Sequence, residues 1–406
     1  MKRFYFLFAA LINLFILQTG CTLENKIITP ESLGLSGDTL ELANLKMQEL
    51  IDSGKYGGIS TLIIKNGEVV QNEFFGYTDL EKQKPINENT IVRIFSMTKP
   101  ITTVALMTLY DEGKFKLDDK VSEYIPEFEG FLVYTSHEDG FTLEPQENEM
   151  TIRHLLTHSS GISYGWNKSY VDSLYRVNNV GNWNQSLHDQ IKKLSEMPLN
   201  FQPGRGYEYG LSIDVAGYLV EVFSGMTLDK YFKTRIFDPL KMKDSGFFVP
   251  EEQQERFSSL FITDKEGNLT VPEGQWAEAF KKSPALFSGG GGLVSTMNDY
   301  ASFCKMLMNG GELDGVRILE ESTAQLILSN QIPEEASFRD GFGYGLGGSI
   351  NLKTGEYAWG GMASTNFWID PENEMIVITF AQLLPGNHSY AYVYKDLVNR
   401  ALLQSN

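Results

Sequence analysis

The segment Ile91-Val92-Arg93-Ile94-Phe95-Ser96-Met97-Thr98-Lys99-Pro100 decides the fold of this 406-residue chain. An apolar stretch precedes Ser96, and an apolar helical pattern runs from Pro100 to Met107, with the proline in the first turn, where a helix tolerates it. Ser96 and Lys99 are three residues apart, which places both side chains on one helical face. Because a serine hydroxyl is a poor nucleophile until a base takes its proton, we predict Ser96 as nucleophile and Lys99 as base. At a helix N-terminus the N–H of Ser96 is also free to bind an oxyanion.

Further blocks follow this motif in a characteristic order. They are Ile152-Arg153-His154-Leu155-Leu156-Thr157-His158-Ser159-Ser160-Gly161, Pro203-Gly204 ahead of Tyr207-Glu208-Tyr209, Ile236-Phe237-Asp238-Pro239-Leu240, Gly290-Gly291-Gly292-Leu293-Val294-Ser295-Thr296 and Trp359-Gly360-Gly361. From about Gly58 to about Leu384 the chain resembles the serine β-lactamase/penicillin-binding-protein superfamily, most closely its class C-like esterase branch, the family VIII carboxylesterases. The resemblance implies an α+β fold of the β-lactamase/transpeptidase type and catalysis by acyl transfer.

The resemblance also implies a second catalytic residue. In that family a tyrosine on a loop of the helical lobe faces the serine and shares proton transfer with the lysine, and Tyr209 matches it. Tyr207 is the alternative, at a position where relatives usually have an aromatic packing residue. The family's asparagine two residues after the tyrosine is replaced by Leu211, so an amide that helps to orient substrate is missing.

Trp359-Gly360-Gly361 falls where β-lactamases and penicillin-binding proteins carry Lys-Thr-Gly. The two glycines allow close approach of an acyl group, and the N–H of Met362 is the expected second oxyanion donor. Tryptophan in place of lysine removes the cation that binds a β-lactam carboxylate, which favours neutral esters. A literal Lys353-Thr354-Gly355 lies nearby, and we interpret it as a turn.

Two other motifs suggest different chemistry. Gly161-Ile162-Ser163-Tyr164-Gly165 matches the nucleophile elbow of α/β-hydrolases, but a helical pattern precedes it where that motif needs a strand. His154 and His158 have the spacing of helical metal ligands, but no glutamate or third ligand accompanies them. We therefore expect both histidines to be structural, at a helix C-terminus.

The organisation predicts one antiparallel sheet assembled from both chain ends. The expected elements are a helix over 37–53, a hairpin around Asn66-Gly67, strands over 344–350, 356–368 and 375–382, and a helix over 390–403. We predict an α/β lobe over about 36–105 and 285–406 and a mostly helical lobe over about 106–284. The glycine run 289–292 is expected to let backbone pass close to the sheet or the site.

The N-terminal residues predict export. Lys2 and Arg3 precede an apolar run from Phe4 to Leu17, which reads as a signal peptide over 1–20 followed by a tether over 21–35. Cys21 stands where a lipoprotein is modified, although Gln18 is irregular for such a site; plain signal cleavage and an uncleaved anchor are the alternatives. We expect a periplasmic or outer-surface protein anchored to a bacterial membrane, with Cys304 as a buried, inert thiol.

The sequence thus predicts a serine hydrolase with a small-molecule ester, amide or lactam as substrate and without metal or organic cofactor. The net charge of −18 argues against nucleic acid as a partner. A β-lactamase or D-alanyl-D-alanine carboxypeptidase remains an alternative, as does a catalytically silent ligand-binding member of the same fold.

Overall fold

The computed structural model describes residues 28–403, and its centre is an eight-stranded sheet. In spatial order, its strands are β12 (Phe342–Tyr344), β13 (Ser349–Asn351), β14 (Tyr357–Gly361), β15 (Thr365–Asp370), β16 (Met375–Phe380), β1 (Gly58–Lys65), β2 (Glu68–Asp79) and β3 (Lys84–Pro85). Neighbouring strands are antiparallel throughout. The predicted α+β fold, with a sheet built from both chain ends, is confirmed.

The remaining elements lie around this sheet. The shorter strands are β4 (Val92–Arg93), β5 (Leu132–His137), β6 (Gly140–Pro145), β7 (Phe261–Thr263), β8 (Leu269–Thr270), β9 (Val294–Ser295), β10 (Glu312–Leu313), β11 (Val316–Arg317) and β17 (Leu383–Leu384). The helices are α1 (Gly37–Asp52), α2 (Thr98–Asp111), α3 (Ile152–Leu156), α4 (Tyr170–Val177), α5 (Leu187–Ser195), α6 (Ser212–Ser224), α7 (Leu228–Phe232), α8 (Gln275–Glu278), α9 (Met297–Met308), α10 (Glu321–Ile327) and α11 (Ser389–Ala401).

The hairpin β1–β2 forms as predicted. Asn66 and Gly67 have φ angles of 54° and 80°, the left-handed pair that a two-residue hairpin turn requires. Alternate residues of β1 then face opposite sides of the sheet: Ile63 packs in the cluster with α1 and α11, and Leu62 packs in the larger cluster that contains α2. The sheet is therefore covered by helices on both faces.

The C-terminal strands depart from the prediction. The expected strand over 344–350 is two strands, β12 and β13, because Gly345 to Gly348 form a turn closed by a hydrogen bond between their backbones. The expected strand over 356–368 is also two, β14 and β15, with a tight turn at Met362, Ala363 and Ser364. Both turns are short, with no charged residue, proline or Asn-Gly pair to mark them, and the sequence analysis did not use their glycines as turn signals. The interpretation of Lys353-Thr354-Gly355 as a turn is confirmed.

The middle of the chain holds a feature that the sequence did not predict. Strands β5 and β6 form a hairpin in the region expected to be helical, and most of their residues are exposed or half-buried. Such a hairpin lacks the alternation of buried and exposed residues that identifies a strand.

The predictions for the N-terminus concern residues that precede these helices and strands. The signal peptide over 1–20 and Cys21 lie outside the described residues. Between residues 28 and 403, no helix has both the length and the apolar character needed to cross a bilayer.

Helix α2 fixes the position of the motif. Twelve of its residues, from Thr98 to Leu109, are buried, and the helix contacts α6, α7 and α10. Each large apolar side chain buried in this way contributes about 1.5–3 kcal/mol, so the helix is held firmly in its place. The N-terminus of α2, with Ser96 just before it, is therefore a rigid platform.

Candidate active site

The backbone before α2 bends sharply to present Ser96. Phe95 has a φ of 41°, which is unusual for a residue other than glycine. Residues Phe95–Met97 form a single 3₁₀ turn that runs into α2. Two hydrogen bonds hold this turn: Tyr300 Oη donates to the Met97 carbonyl (3.0 Å), and the Leu293 N–H donates to Thr98 Oγ1 (3.1 Å). The strained turn is thus supported by residues almost 200 positions away.

The three predicted catalytic side chains meet at one point. Ser96 Oγ lies 3.2 Å from Lys99 Nζ and 2.7 Å from Tyr209 Oη. Lys99 Nζ also lies 4.5 Å from the centre of the Tyr209 ring. Tyr207, the alternative, packs instead against Phe338 and Tyr344, with ring centres 4.7 and 5.5 Å away. The geometry therefore favours Tyr209 over Tyr207.

Lys99 is fully buried and makes three hydrogen bonds. Besides Ser96, its Nζ donates to the Gly290 carbonyl (2.6 Å) and to Tyr164 Oη (2.9 Å). A lysine nitrogen makes at most three hydrogen bonds besides its bond to carbon, so all of its hydrogen-bonding positions are used. The expectation that the glycine run passes close to the site holds at Gly290, where a Cβ would lie 2.4 Å from the Asp214 carboxylate and 3.0 Å from Tyr164 Oη.

Tyr164 is a site residue that the sequence analysis missed. It belongs to the segment that resembles a nucleophile elbow, but the serine of that segment turns elsewhere: Ser163 Oγ donates to Asp172 Oδ1 at 2.6 Å and is buried. Burial raises the pKa of the Tyr164 phenol well above its ordinary value, so the phenol stays protonated at neutral pH. Its ring stacks on Trp166, with centres 4.2 Å apart. No motif marks this tyrosine in the sequence.

Asp214 holds the carbonyl that Lys99 contacts. It lies in the first turn of α6, is buried, and accepts hydrogen bonds from Ser288 Oγ (2.6 Å) and the Gly290 N–H (3.1 Å). Burial raises the pKa of this carboxyl group. Asp214 therefore holds the backbone of Gly290 through its N–H, and the Gly290 carbonyl in turn positions the side chain of Lys99.

Strand β14 forms the opposite wall of the site. A Cβ on Gly361 would lie 2.2 Å from the Ile94 carbonyl, so only glycine lets the strand approach the turn that carries Ser96. Ser96, Tyr209 and residues 359–362 line one cavity of about 830 Å³. The predicted oxyanion and substrate-binding residues, Trp359, Gly360, Gly361 and Met362, thus share a cavity with Ser96. Trp359 packs against Tyr209, with ring centres 5.5 Å apart.

The histidines have supporting roles. The prediction of a helix C-terminal role is wrong for His154, because its ring accepts the Thr151 N–H (3.2 Å) and so caps the N-terminus of α3. His158 accepts the Gly210 N–H (3.3 Å) and lies 4.8 Å from the Tyr209 ring. Burial holds the pKa of His158 well below its ordinary value, so it supports the Tyr209 loop as a neutral ring. In residues 28–403 no group of three or more histidine, cysteine or acidic side chains has the arrangement of a metal site.

Leu211 and Cys304 are both buried, in keeping with the predicted loss of the amide and with an inert thiol. Burial raises the pKa of the Cys304 thiol well above its ordinary value.

Comparison with known proteins shows a matching protein family and several similar proteins. The family model described as "Beta-lactamase" matches residues 43–400. The lovastatin esterase of Penicillium rubens is 30% identical over 363 residues, which cover 81% of this chain and 89% of that protein. Esterase EstB of Burkholderia gladioli is 27% identical over 378 residues, covering 84% and 92%. The solved structure of simvastatin synthase LovD from Aspergillus terreus shares the fold, with a TM-score of 0.78 at 22% identity over 91% of this chain and 100% of that one.

Proposed function

The chain belongs to the β-lactamase family of serine hydrolases, and on that premise we propose that it is an esterase that acts on small neutral esters through an acyl-enzyme on Ser96. The observation that carries the proposal is the contact of Ser96 Oγ with both Lys99 Nζ and Tyr209 Oη. A serine with two proton-transfer groups within hydrogen-bond distance has the geometry of an activated nucleophile. The esterases among its relatives support the same reaction class.

In the first half of the reaction, Ser96 Oγ forms a bond to the ester carbonyl carbon. Its proton passes to Lys99 Nζ, which reacts as the free amine, and the N–H groups of Ser96 and Met362 stabilise the negative charge on the carbonyl oxygen. The bond to the leaving alkoxide then breaks, and Tyr209 donates the proton that the alkoxide needs. Tyr164 and the Gly290 carbonyl keep Lys99 in place while the proton moves.

In the second half, a water oxygen forms a bond to the acyl carbon and the bond to Ser96 Oγ breaks. The same pair takes a proton from water and returns one to Ser96, so the enzyme regains its starting state. Transfer of the acyl group to another alcohol uses the same atoms, with that alcohol in the place of water.

The walls of the cavity support ester over lactam substrates. Trp359 occupies the position at which a β-lactamase has a lysine, and its ring packs against Tyr209. Leu211, which is buried, occupies the position at which a β-lactamase has an asparagine. Both changes remove polar groups that hold a lactam and its carboxylate, whereas neutral esters need neither. A β-lactamase, a D-alanyl-D-alanine carboxypeptidase and a silent ligand-binding protein remain the alternative functions.

One comparison tests this proposal. The purified protein is offered 4-nitrophenyl butyrate and nitrocefin, with Ser96→Ala as the control. We expect clear turnover of the ester, weak or absent turnover of nitrocefin, and loss of both in the variant. Efficient nitrocefin turnover indicates the lactamase alternative, and binding without turnover of either indicates the silent one.

We also propose that the protein is exported and held at a bacterial membrane through Cys21. The proposal rests on the charged, apolar and small residues of positions 1–21 alone. The substrate would then be met outside the cytoplasm.

A further inference from the structure

The cavity described above is lined by both Ser96 and Tyr209. Tyr209, which in the proposed function protonates the departing alkoxide, lines this cavity together with Trp359. A proton donor must lie within hydrogen-bond distance of the oxygen it protonates, so the alcohol portion of the substrate occupies the space beside Tyr209. A volume of about 830 Å³ is far more than a small alcohol needs. The residues that line the rest of the cavity therefore affect which alcohols the enzyme selects.

Arg339, which lies on a separate loop, lines the same cavity. The guanidinium carbon of Arg339 lies 3.8 Å from the centre of the Phe342 ring and 5.1 Å from that of Phe338. Phe338 in turn lies 6.3 Å from Trp359, ring centre to ring centre. All of these side chains line the cavity. Contact with two aromatic faces favours a defined position for a guanidinium group and leaves its N–H donors free at the edges.

Arg339 has no partner of its own in the described part of the chain. No carboxylate there lies within 4 Å of its nitrogens, and its guanidinium donates no hydrogen bond. Its loop is nevertheless held by packing, because the neighbouring Phe338 lies against Tyr207 and Tyr344, with ring centres 4.7 and 5.4 Å away. An unpaired cation on an anchored loop is available to a ligand.

The charges of the residues that line the cavity also favour an anionic ligand. The chain as a whole carries 52 acidic against 34 basic residues, yet the charged residues that line this cavity are Arg339, Lys353, Lys395 and a single acid, Glu356. Glu356 is already paired with Lys395 at 2.8 Å. Arg339 and Lys353 therefore leave the cavity with an excess of positive charge in an acidic protein.

We propose that Arg339 binds an anionic group, such as a carboxylate, on the alcohol portion of the substrate. The inference rests on the proposed function and extends it: small neutral esters are accepted, and among esters the enzyme prefers those whose alcohol portion is partly apolar with an acidic group at its far end. The aromatic side chains contact the apolar part, and the guanidinium group forms charge-assisted hydrogen bonds to the anion.

The kinetic test compares two acetate esters of nearly equal size, 3-(4-acetoxyphenyl)propanoate and the neutral 3-(4-acetoxyphenyl)propanamide. We expect Arg339→Gln to lower the ratio of kcat/KM for the anionic ester to that for the neutral one by at least tenfold, mainly through KM; tenfold corresponds to about 1.4 kcal/mol. Arg339→Lys should recover only part of the loss, because a lysine cannot bind two carboxylate oxygens in a fork. An unchanged ratio overturns the inference.

Lys353→Gln is the matched control, because it removes one unpaired charge from the same cavity at a different turn. We expect it to change the ratio by less than threefold. A loss equal to that of Arg339→Gln indicates a general electrostatic effect and overturns a specific role for Arg339.

A binding measurement separates this inference from the proposed function. Calorimetry with the Ser96→Ala protein measures the affinity for 3-(4-hydroxyphenyl)propanoate, the alcohol product, with and without Arg339→Gln. We expect Arg339→Gln to raise Kd at least tenfold, with a much smaller change for the corresponding amide. If the wild type hydrolyses neither ester, the proposed function fails, but the calorimetry still decides the role of Arg339. Equal affinities of the two proteins for the alcohol product, or no binding at all, overturn the proposed role of Arg339.

Discussion

Tyr164 Oη lies 2.9 Å from Lys99 Nζ, although 65 positions separate the two residues in the chain. Tyr164 makes one of the three hydrogen bonds of the buried Lys99 amine, and the others are to Gly290 and Ser96. Lys99, the proposed base, is thus contacted by a residue outside the motifs from which the sequence analysis recognised the family.

We predict that Tyr164→Phe lowers kcat for 4-nitrophenyl butyrate by about tenfold or more. The phenylalanine keeps the stack on Trp166 but leaves one N–H of Lys99 without an acceptor, and a hydrogen bond to a charged group contributes about 1.5–3 kcal/mol. Because the hydroxyl acts on a proton-transfer group, the pH profile of kcat should move as well. Ser163→Ala is the control, since Ser163 bonds to Asp172 and not to Lys99. Equal effects of the two substitutions contradict a specific role for Tyr164.

Ser96→Ala should abolish hydrolysis while the protein stays folded, because the hydroxyl is the proposed nucleophile. Lys99→Ala should lower kcat/KM by about 10³-fold or more, since nucleophile and base act as one unit. Single-turnover kinetics and circular dichroism of both variants check these expectations. Loss of activity in Ser163→Ala with a mild effect of Ser96→Ala would assign the nucleophile to the elbow-like segment instead.

His154 predicts a pH dependence of stability. Burial lowers the pKa of His154 from 6.5 to about 4, so the folded protein binds fewer protons than the unfolded chain between these values. The contribution of His154 to the free energy of unfolding is therefore fully present above pH 6.5. It is lost as the pH falls towards 4, and the loss is at most ~3 kcal/mol in total. In His154→Gln the glutamine can still accept the Thr151 N–H, as in a capping box. We expect similar stability at pH 8 and a smaller loss at pH 5, measured by urea unfolding; an equal loss in both proteins contradicts this.

Substrate preference should respond to Trp359. A charge-assisted hydrogen bond contributes about 1.5–3 kcal/mol, so Trp359→Lys should raise kcat/KM for nitrocefin relative to 4-nitrophenyl butyrate by roughly ten- to a hundredfold. Lys353→Ala should leave the low nitrocefin activity of the wild type unchanged, because Lys353 lies in the turn before β14 and not at the end of β14 that approaches Ser96. Efficient nitrocefin turnover that depends on Lys353 would mean that this turn supplies the lactam-binding lysine.

Cys21→Ser should move the protein from the membrane to the soluble fraction of a bacterial host, since acylation of that cysteine is the proposed anchor. Fractionation followed by mass spectrometry of the N-terminus measures both location and modification. Recovery of unmodified, freely soluble wild-type protein that begins at Cys21 would remove the anchor but not the proposed export.

The sequence was sufficient for the features that depend on local patterns. The helical spacing of Ser96 and Lys99, the Asn66-Gly67 turn and the apolar periodicity of α1 and α11 arise from interactions among neighbouring residues, and each lies in the structure where the pattern placed it. The order of motifs along the chain was enough to identify the family, and Tyr209 followed from that resemblance.

The tertiary structure decided the features that depend on distant contacts. Tyr164, Asp214 and the Gly290 carbonyl surround Lys99 only because α2, α6 and the glycine run pack together, and Arg339 enters the cavity only because its loop lies beside Trp359. The turn between β14 and β15 follows from the pairing of these strands, and hydrophobic periodicity did not predict it. Hydrogen bonds and burial between segments far apart in the chain are set by packing, and a one-dimensional pattern does not contain them.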